Sequence, residues 1–120
     1  VLMAPALRFP RRCEAGLGQA AVAEWERTDR LPVFHYGFNE RRYLRYELLR
    51  DALTYEDDPA FLQPALLFHG RRDPVVPVAD SIEFADSRPH VTLRLYDSGH
   101  ELTDVVEDMF QRSARFLTAS

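Results

Sequence analysis

Apolar positions along the chain follow more than one rhythm, and the changes of rhythm divide it into elements. Val1-Leu2-Met3-Ala4 is an apolar run closed by Pro5, which predicts the end of a buried strand. Phe9 to Ala15 carries Pro10 and arginines without a period and reads as irregular. Ala20 to Trp25 suits a short helix ending around Thr28-Asp29, and the aromatic stretch Leu31 to Phe38 suits a packed loop or short extended piece. Leu44, Leu48, Leu49, Ala52 and Leu53 then recur at helical steps, with Arg41, Arg42, Arg45, Glu47 and Arg50 on the other faces.

Beyond Asp57-Asp58-Pro59 the signals sharpen. Ala65-Leu66-Leu67-Phe68 is a continuous apolar run, as in a strand covered on both faces, and Gly70 ends it. Pro77 to Ala85 predicts a helix with proline in its first turn and Val78, Ile82 and Ala85 inward. Val91, Leu93 and Leu95 alternate with Thr92, Arg94 and Tyr96, a strand pattern. A last helix from about Leu102 to Leu117 places Leu102, Val105, Val106, Met109, Phe110 and Leu117 on one stripe. Strands separated by helices predict an α/β domain with a parallel sheet and right-handed crossovers.

Length and composition change this picture little. At 120 residues, 46% hydrophobic and 28% charged, the chain has the profile of one ordinary globular domain. No apolar run approaches the roughly 20 residues of a membrane span. The opening segment lacks the basic flank and cleavage site of a signal peptide. It also begins mid-strand without methionine, so a preceding segment is expected. A net charge of -4 offers no general field for nucleic acid or an anionic membrane, and neither is expected as a partner. All 15 basic residues are arginine, which fits a codon bias. Cys13 stands alone, as suits a reducing cytoplasm, and excludes a zinc site built on Cys pairs.

Candidate chemistry collects where two strands end. In an open parallel sheet, ligands bind at the carboxyl ends of the strands. One such end carries His69-Gly70-Arg71-Arg72-Asp73-Pro74-Val75-Val76-Pro77, and the other Asp97-Ser98-Gly99-His100-Glu101-Leu102. If these strands are neighbours, Asp73 can orient His100 and stabilise its protonated form. The bland alternative makes Asp73 a cap on the turn before Pro74 and His100 an ordinary residue near a helix start.

With this order of motifs the chain resembles the C-terminal half of an α/β-hydrolase. His69-Gly70-x-x-Asp73-x-Val75-Val76-Pro77 followed by Gly99-His100-Glu101-Leu102 matches where that family carries its acid and its histidine. The resemblance runs from a sixth core strand at Val1 to Ala4 through the last helix, and is nearest to small bacterial esterase-like or serine-peptidase-like members. It implies one partial hydrolase domain over residues 1–120, with residues 9–58 as a lid or helical insertion. It implies Asp73 and His100 as catalytic residues of a Ser-Asp-His triad, no cofactor, and a small-molecule ester, thioester or peptide substrate; the four histidines lack the close pairing of a metal site, so no metal is expected.

One departure bears on mechanism. The family's nucleophile sits on a Gly-x-Ser-x-Gly elbow upstream of the acid, and no such pentapeptide occurs here. Ser81, Ser87, Ser98, Ser113 and Ser120 come too late or in the wrong setting, and Cys13 is on no elbow. The expectation is therefore a portion of a serine hydrolase, inactive alone and dependent on a missing N-terminal segment or self-association. The alternative is a non-catalytic α/β module that binds through the same strand edge. Among rivals, Asp97 reads as a turn residue and Asp80 as solvent-facing on its helix. His69 reads as a structural histidine, His35 as a packed loop histidine and His90 as an exposed turn residue. The arginines of 41–45 read as a solvated helix face.

Overall fold

The computed structural model describes residues 1–119, so Ser120 lies outside the described residues. It divides into two compact units, one of Val1–Leu7 with Ala60 onward and the other of Arg8–Pro59.

The first unit is an α/β assembly. Strand β1 (Leu2–Met3), strand β4 (Ala65–Gly70) and strand β5 (Val91–Tyr96) form a parallel sheet in the order β1-β4-β5. Central β4 is buried along its whole length, which accounts for its unbroken apolar sequence. Its side chains alternate between two cores. Ala65 and Leu67 pack with Val91 and with Phe84 of helix α4 (Val78–Asp86), while Leu66 and Phe68 pack with Leu102 and with Met109 of helix α5 (Val106–Thr118). Each large apolar side chain so buried contributes roughly 1.5–3 kcal/mol.

Two features of this unit differ from the sequence expectation. The buried residues of α4 are Asp80, Ser81 and Phe84, so Asp80 does not face solvent: it is 1% exposed. On the last helix, Leu102 and Met109 are buried, but Val106, Phe110 and Leu117 are 58%, 69% and 70% exposed. Successive helical residues differ by about 100° in direction, so the broad stripe splits between a core face and an uncovered one.

The chain enters α5 through an unusual residue. Leu102 has φ +56° yet is almost fully buried, and a short 3₁₀ turn (Thr103–Val105) follows it. A branched side chain in the left-handed region costs roughly 1–2 kcal/mol, which the burial of Leu102 against Leu66 and Phe68 offsets.

The second unit holds helices α1 (Phe9–Leu17) and α2 (Gln19–Thr28), strands β2 (Leu31–His35) and β3 (Glu40–Leu44), and helix α3 (Glu47–Ala52). Residues 9–15 are thus helical rather than irregular, with proline in the first turn where its missing N–H costs nothing. Gly18, at φ +83°, separates α1 from α2. The expected helix from Arg41 is also corrected. Residues 31–44 form an antiparallel hairpin, and only 47–52 are helical. Asn39 turns the chain at φ +51°, and the buried Trp25 donates its indole N–H to the Leu44 carbonyl at 2.9 Å. Asp29 then accepts the Tyr46 amide at 2.8 Å. These bonds hold residues 44–46 out of the helix their spacing suggests.

The hairpin wears its arginines on aromatic faces: Arg30 lies over Tyr43 and Arg42 over Phe38, at 4.0 and 3.9 Å. Among the described residues no helix is long and apolar enough to cross a membrane.

One glycine governs the sheet's carboxyl end. A Cβ at Gly70 would stand 2.3 Å from the carbonyl oxygens of both Ser98 and Gly99, backbone atoms that cannot swing aside. Gly70→Ala should therefore cost about 1–3 kcal/mol in chemical denaturation, as overpacking does. Gly16→Ala, on the exposed side of α1 with open space around it, should stabilise by roughly 0.5–1 kcal/mol in the same assay.

Candidate active site

The β4–β5 ladder continues past the strands themselves. Arg71 donates its amide to the Tyr96 carbonyl at 2.8 Å and Arg72 to the Ser98 carbonyl at 3.1 Å. Two loops are thereby stitched together at their roots, and their tips carry Asp73 and His100. The His100 Nδ1 lies 2.9 Å from Asp73 Oδ2 across 27 residues of sequence.

The Asp73 carboxylate is fully buried and its two oxygens have separate tasks. Oδ1 accepts the amides of Val75 and Val76, both at 2.8 Å, closing the turn that Pro74 begins. Oδ2 faces His100. The capping role and the histidine-orienting role are thus held by one side chain at once, an oxygen each.

Burial alone would raise the Asp73 pKa. The Val76 amide, His100 and the Val75 amide together outweigh it and hold the carboxyl below the ordinary aspartate value. An ionised Asp73 accepts only, so the Nδ1 of His100 carries hydrogen, and in the neutral ring Nε2 is the bare acceptor. The His100 side chain is 38% exposed, so the ring is open to a reacting molecule. A buried carboxylate behind a half-open imidazole is the arrangement of a general base with its orienting acid.

His69, the last residue but one of β4, is completely buried behind this pair. Its Nδ1 is 2.6 Å from the Ser81 hydroxyl, and its Nε2 is 3.0 Å from the Val76 carbonyl and 3.1 Å from Asp73 Oδ2. Sequence reasoning read His69 as structural and did not connect it to Ser81. The available signal was the His69-x-x-x-Asp73 spacing, with Ser81 on α4 beside the predicted inward Ile82.

The rivals lie elsewhere. Asp97 is a surface residue whose carboxylate pairs with Arg72 at 2.7 Å. His35 is exposed at the hairpin turn, its ring tilted on Phe38 at 4.7 Å. His90 is half-buried rather than exposed: it stands edge-on to Phe61, and its buried Nε2 has no hydrogen-bond partner among the described residues. Cys13 sits on α1, where burial and then the Glu14 charge push its thiol pKa up, away from thiolate chemistry. The Ser98 hydroxyl is buried against Asp104, and Ser87 turns back on the carbonyls of its own helix. Ser113 is half-buried on α5. Among the described residues no group of three or more His, Cys, Asp or Glu side chains is placed to hold a metal ion.

Comparison with family models, with curated proteins and with solved structures gives no match to this chain.

The lowered Asp73 pKa links the site to acid stability. A depressed folded-state pKa adds stability that is fully present above the unfolded value, near 3.9, and is lost as pH falls through the folded one. Asp73→Asn should remove this contribution, flattening the fall in stability below about pH 4 in urea titrations at successive pH values.

Proposed function

We propose that this chain supplies the acid and the histidine of a serine-hydrolase triad, within the C-terminal part of an α/β-hydrolase fold. The observation that carries the reading is the hydrogen bond from His100 Nδ1–H to a buried, ionised Asp73 at the carboxyl ends of adjacent parallel strands. The strand order β1-β4-β5, with a helix after each of the last two, supports it.

In this reading the reaction is acyl transfer to water from a small ester, thioester or peptide. A serine hydroxyl attacks the substrate carbonyl carbon and passes its proton to His100 Nε2. Asp73 stabilises the imidazolium, which then gives that proton to the leaving group. Water repeats the cycle on the acyl-enzyme. No metal or cofactor takes part. The serine and the oxyanion-hole donors come from polypeptide outside the 120 residues, since these contain no Gly-x-Ser-x-Gly elbow. We place the protein in the cytoplasm, with neither nucleic acid nor membrane as a partner.

Uncovered apolar surface supports a missing segment. Met3 on edge strand β1 is 63% exposed, and Val106, Phe110 and Leu117 form an exposed row on α5. An uncovered sheet edge beside apolar surface invites pairing with further chain or with another copy. The 120-residue chain alone should therefore self-associate, and sedimentation should show a concentration-dependent mass. A dilute monomer that unfolds cooperatively would count against this.

Hydrolysis of p-nitrophenyl acetate by the chain alone should show no dependence on His100, because losing a triad nucleophile removes about 10⁴–10⁶ of the rate. A longer natural polypeptide bearing the elbow should label with a fluorophosphonate, and His100→Ala should abolish that labelling. A longer polypeptide with no elbow and no labelling would instead favour the binding-module reading.

A further inference from the structure

We propose that His69 is a positioning residue for the Asp73–His100 pair, held in one tautomer by Ser81. The proposal rests on the triad reading above for its relevance to catalysis, and on geometry alone for its content.

The proton assignment follows from the partners. The Val76 carbonyl only accepts, so the Nε2 3.0 Å from it carries hydrogen. In the neutral ring Nδ1 is then a bare acceptor, and the Ser81 hydroxyl 2.6 Å away donates to it. Ser81 is fully buried on α4, so this bond ties the tautomer of a strand residue to the helix that follows the acid loop.

What His69 holds is the acid's own turn. Val76 offers its amide to Asp73 Oδ1 and its carbonyl to His69 Nε2, so one peptide-bearing residue is gripped from both sides. The same Nε2 stands 3.1 Å from Asp73 Oδ2, the oxygen that faces His100. Its N–H therefore places positive charge density beside that oxygen without adding a net charge to a buried site. Without it, the Asp73–Val76 turn keeps its two amide bonds to Oδ1 but loses the hold on the Val76 carbonyl, and Oδ2 is less firmly aimed at His100. Groups behind the residues that do chemistry set orientation in this way, and angular errors of 10–20° are enough to matter.

The readout is the His100 Nδ1 proton, observed directly as a downfield resonance by proton NMR, with ring ¹⁵N shifts reporting the tautomer. His69→Gln keeps an N–H donor near the Nε2 position and should retain the resonance. His69→Asn keeps a group near Ser81 only and should lose it, with His100 passing to a mixture of tautomers. Ser81→Ala, which removes one hydroxyl, should weaken the resonance and broaden it through faster exchange. Melting temperatures are recorded beside the spectra, because a merely structural histidine lowers stability and leaves the His100 tautomer intact. An unchanged His100 resonance in folded His69→Asn overturns the proposal, and if that variant does not fold, an unchanged resonance in Ser81→Ala does so. Asp73→Asn serves as the reference. If the resonance persists there, the Asp73–His100 bond itself is wrong and the triad reading fails; if it vanishes there but is unchanged in folded His69→Asn, only the role of His69 fails.

Discussion

The carbonyl oxygens of Ser98 and Gly99 occupy the space that any side chain at position 70 would need. That contact sets how closely β4 and β5 can run together beyond their last ladder pair, Gly70 with Tyr96. Because the approach is close, the amides of Arg71 and Arg72 reach the neighbouring loop, and two irregular segments acquire the rigidity of a sheet. Loops normally carry function because they vary, and they keep their geometry only when a scaffold over-determines it. Here the scaffold is carried two residues further than either strand, to Arg72 and Ser98, and Asp73 and His100 inherit its precision.

The acid loop solves an electrostatic problem as well as a geometric one. A carboxylate removed from water costs several kcal/mol unless its lone pairs find donors. Asp73 finds them in two amides and one imidazole, with the N–H of a second imidazole close by. Those donors are neutral when His100 is neutral, so the negative charge is stabilised without being cancelled. In the proposed acyl transfer it remains available to the imidazolium. A permanent cation at the position of His69 would spend that charge in advance.

How much of this was legible in the sequence depended on how local the cause was. Strand β4 was readable because burial on both faces demands an uninterrupted apolar run, and β5 because its alternation matches the pleat. Helix α4 announced itself through Pro77. The hairpin at 31–44 was not readable as such. Leu44, its last residue, falls in helical step with Leu48, Leu49 and Leu53 beyond it, and the deciding bonds come from Trp25 and Asp29, more than fifteen residues away. The polarity of Asp80 suggests exposure although the side chain is buried, and the apolar stripe on α5 is wider than a three-stranded sheet covers. At the site, spacing and order brought Asp73 and His100 forward. The Ser81–His69–Val76 chain stayed hidden because it is built from three-dimensional neighbours with no shared periodicity.

Leu102 gives the His100 loop a property loops seldom have. Its left-handed backbone is tolerable only while its side chain stays sealed against Leu66 and Phe68, and it stands two residues after the imidazole. Inserting or deleting a single residue between Gly99 and Thr103 would bring a different side chain to that bend, and the strain would lose its compensation. This connection is therefore length-locked: a surface turn in which indels are as poorly tolerated as in the middle of a core strand.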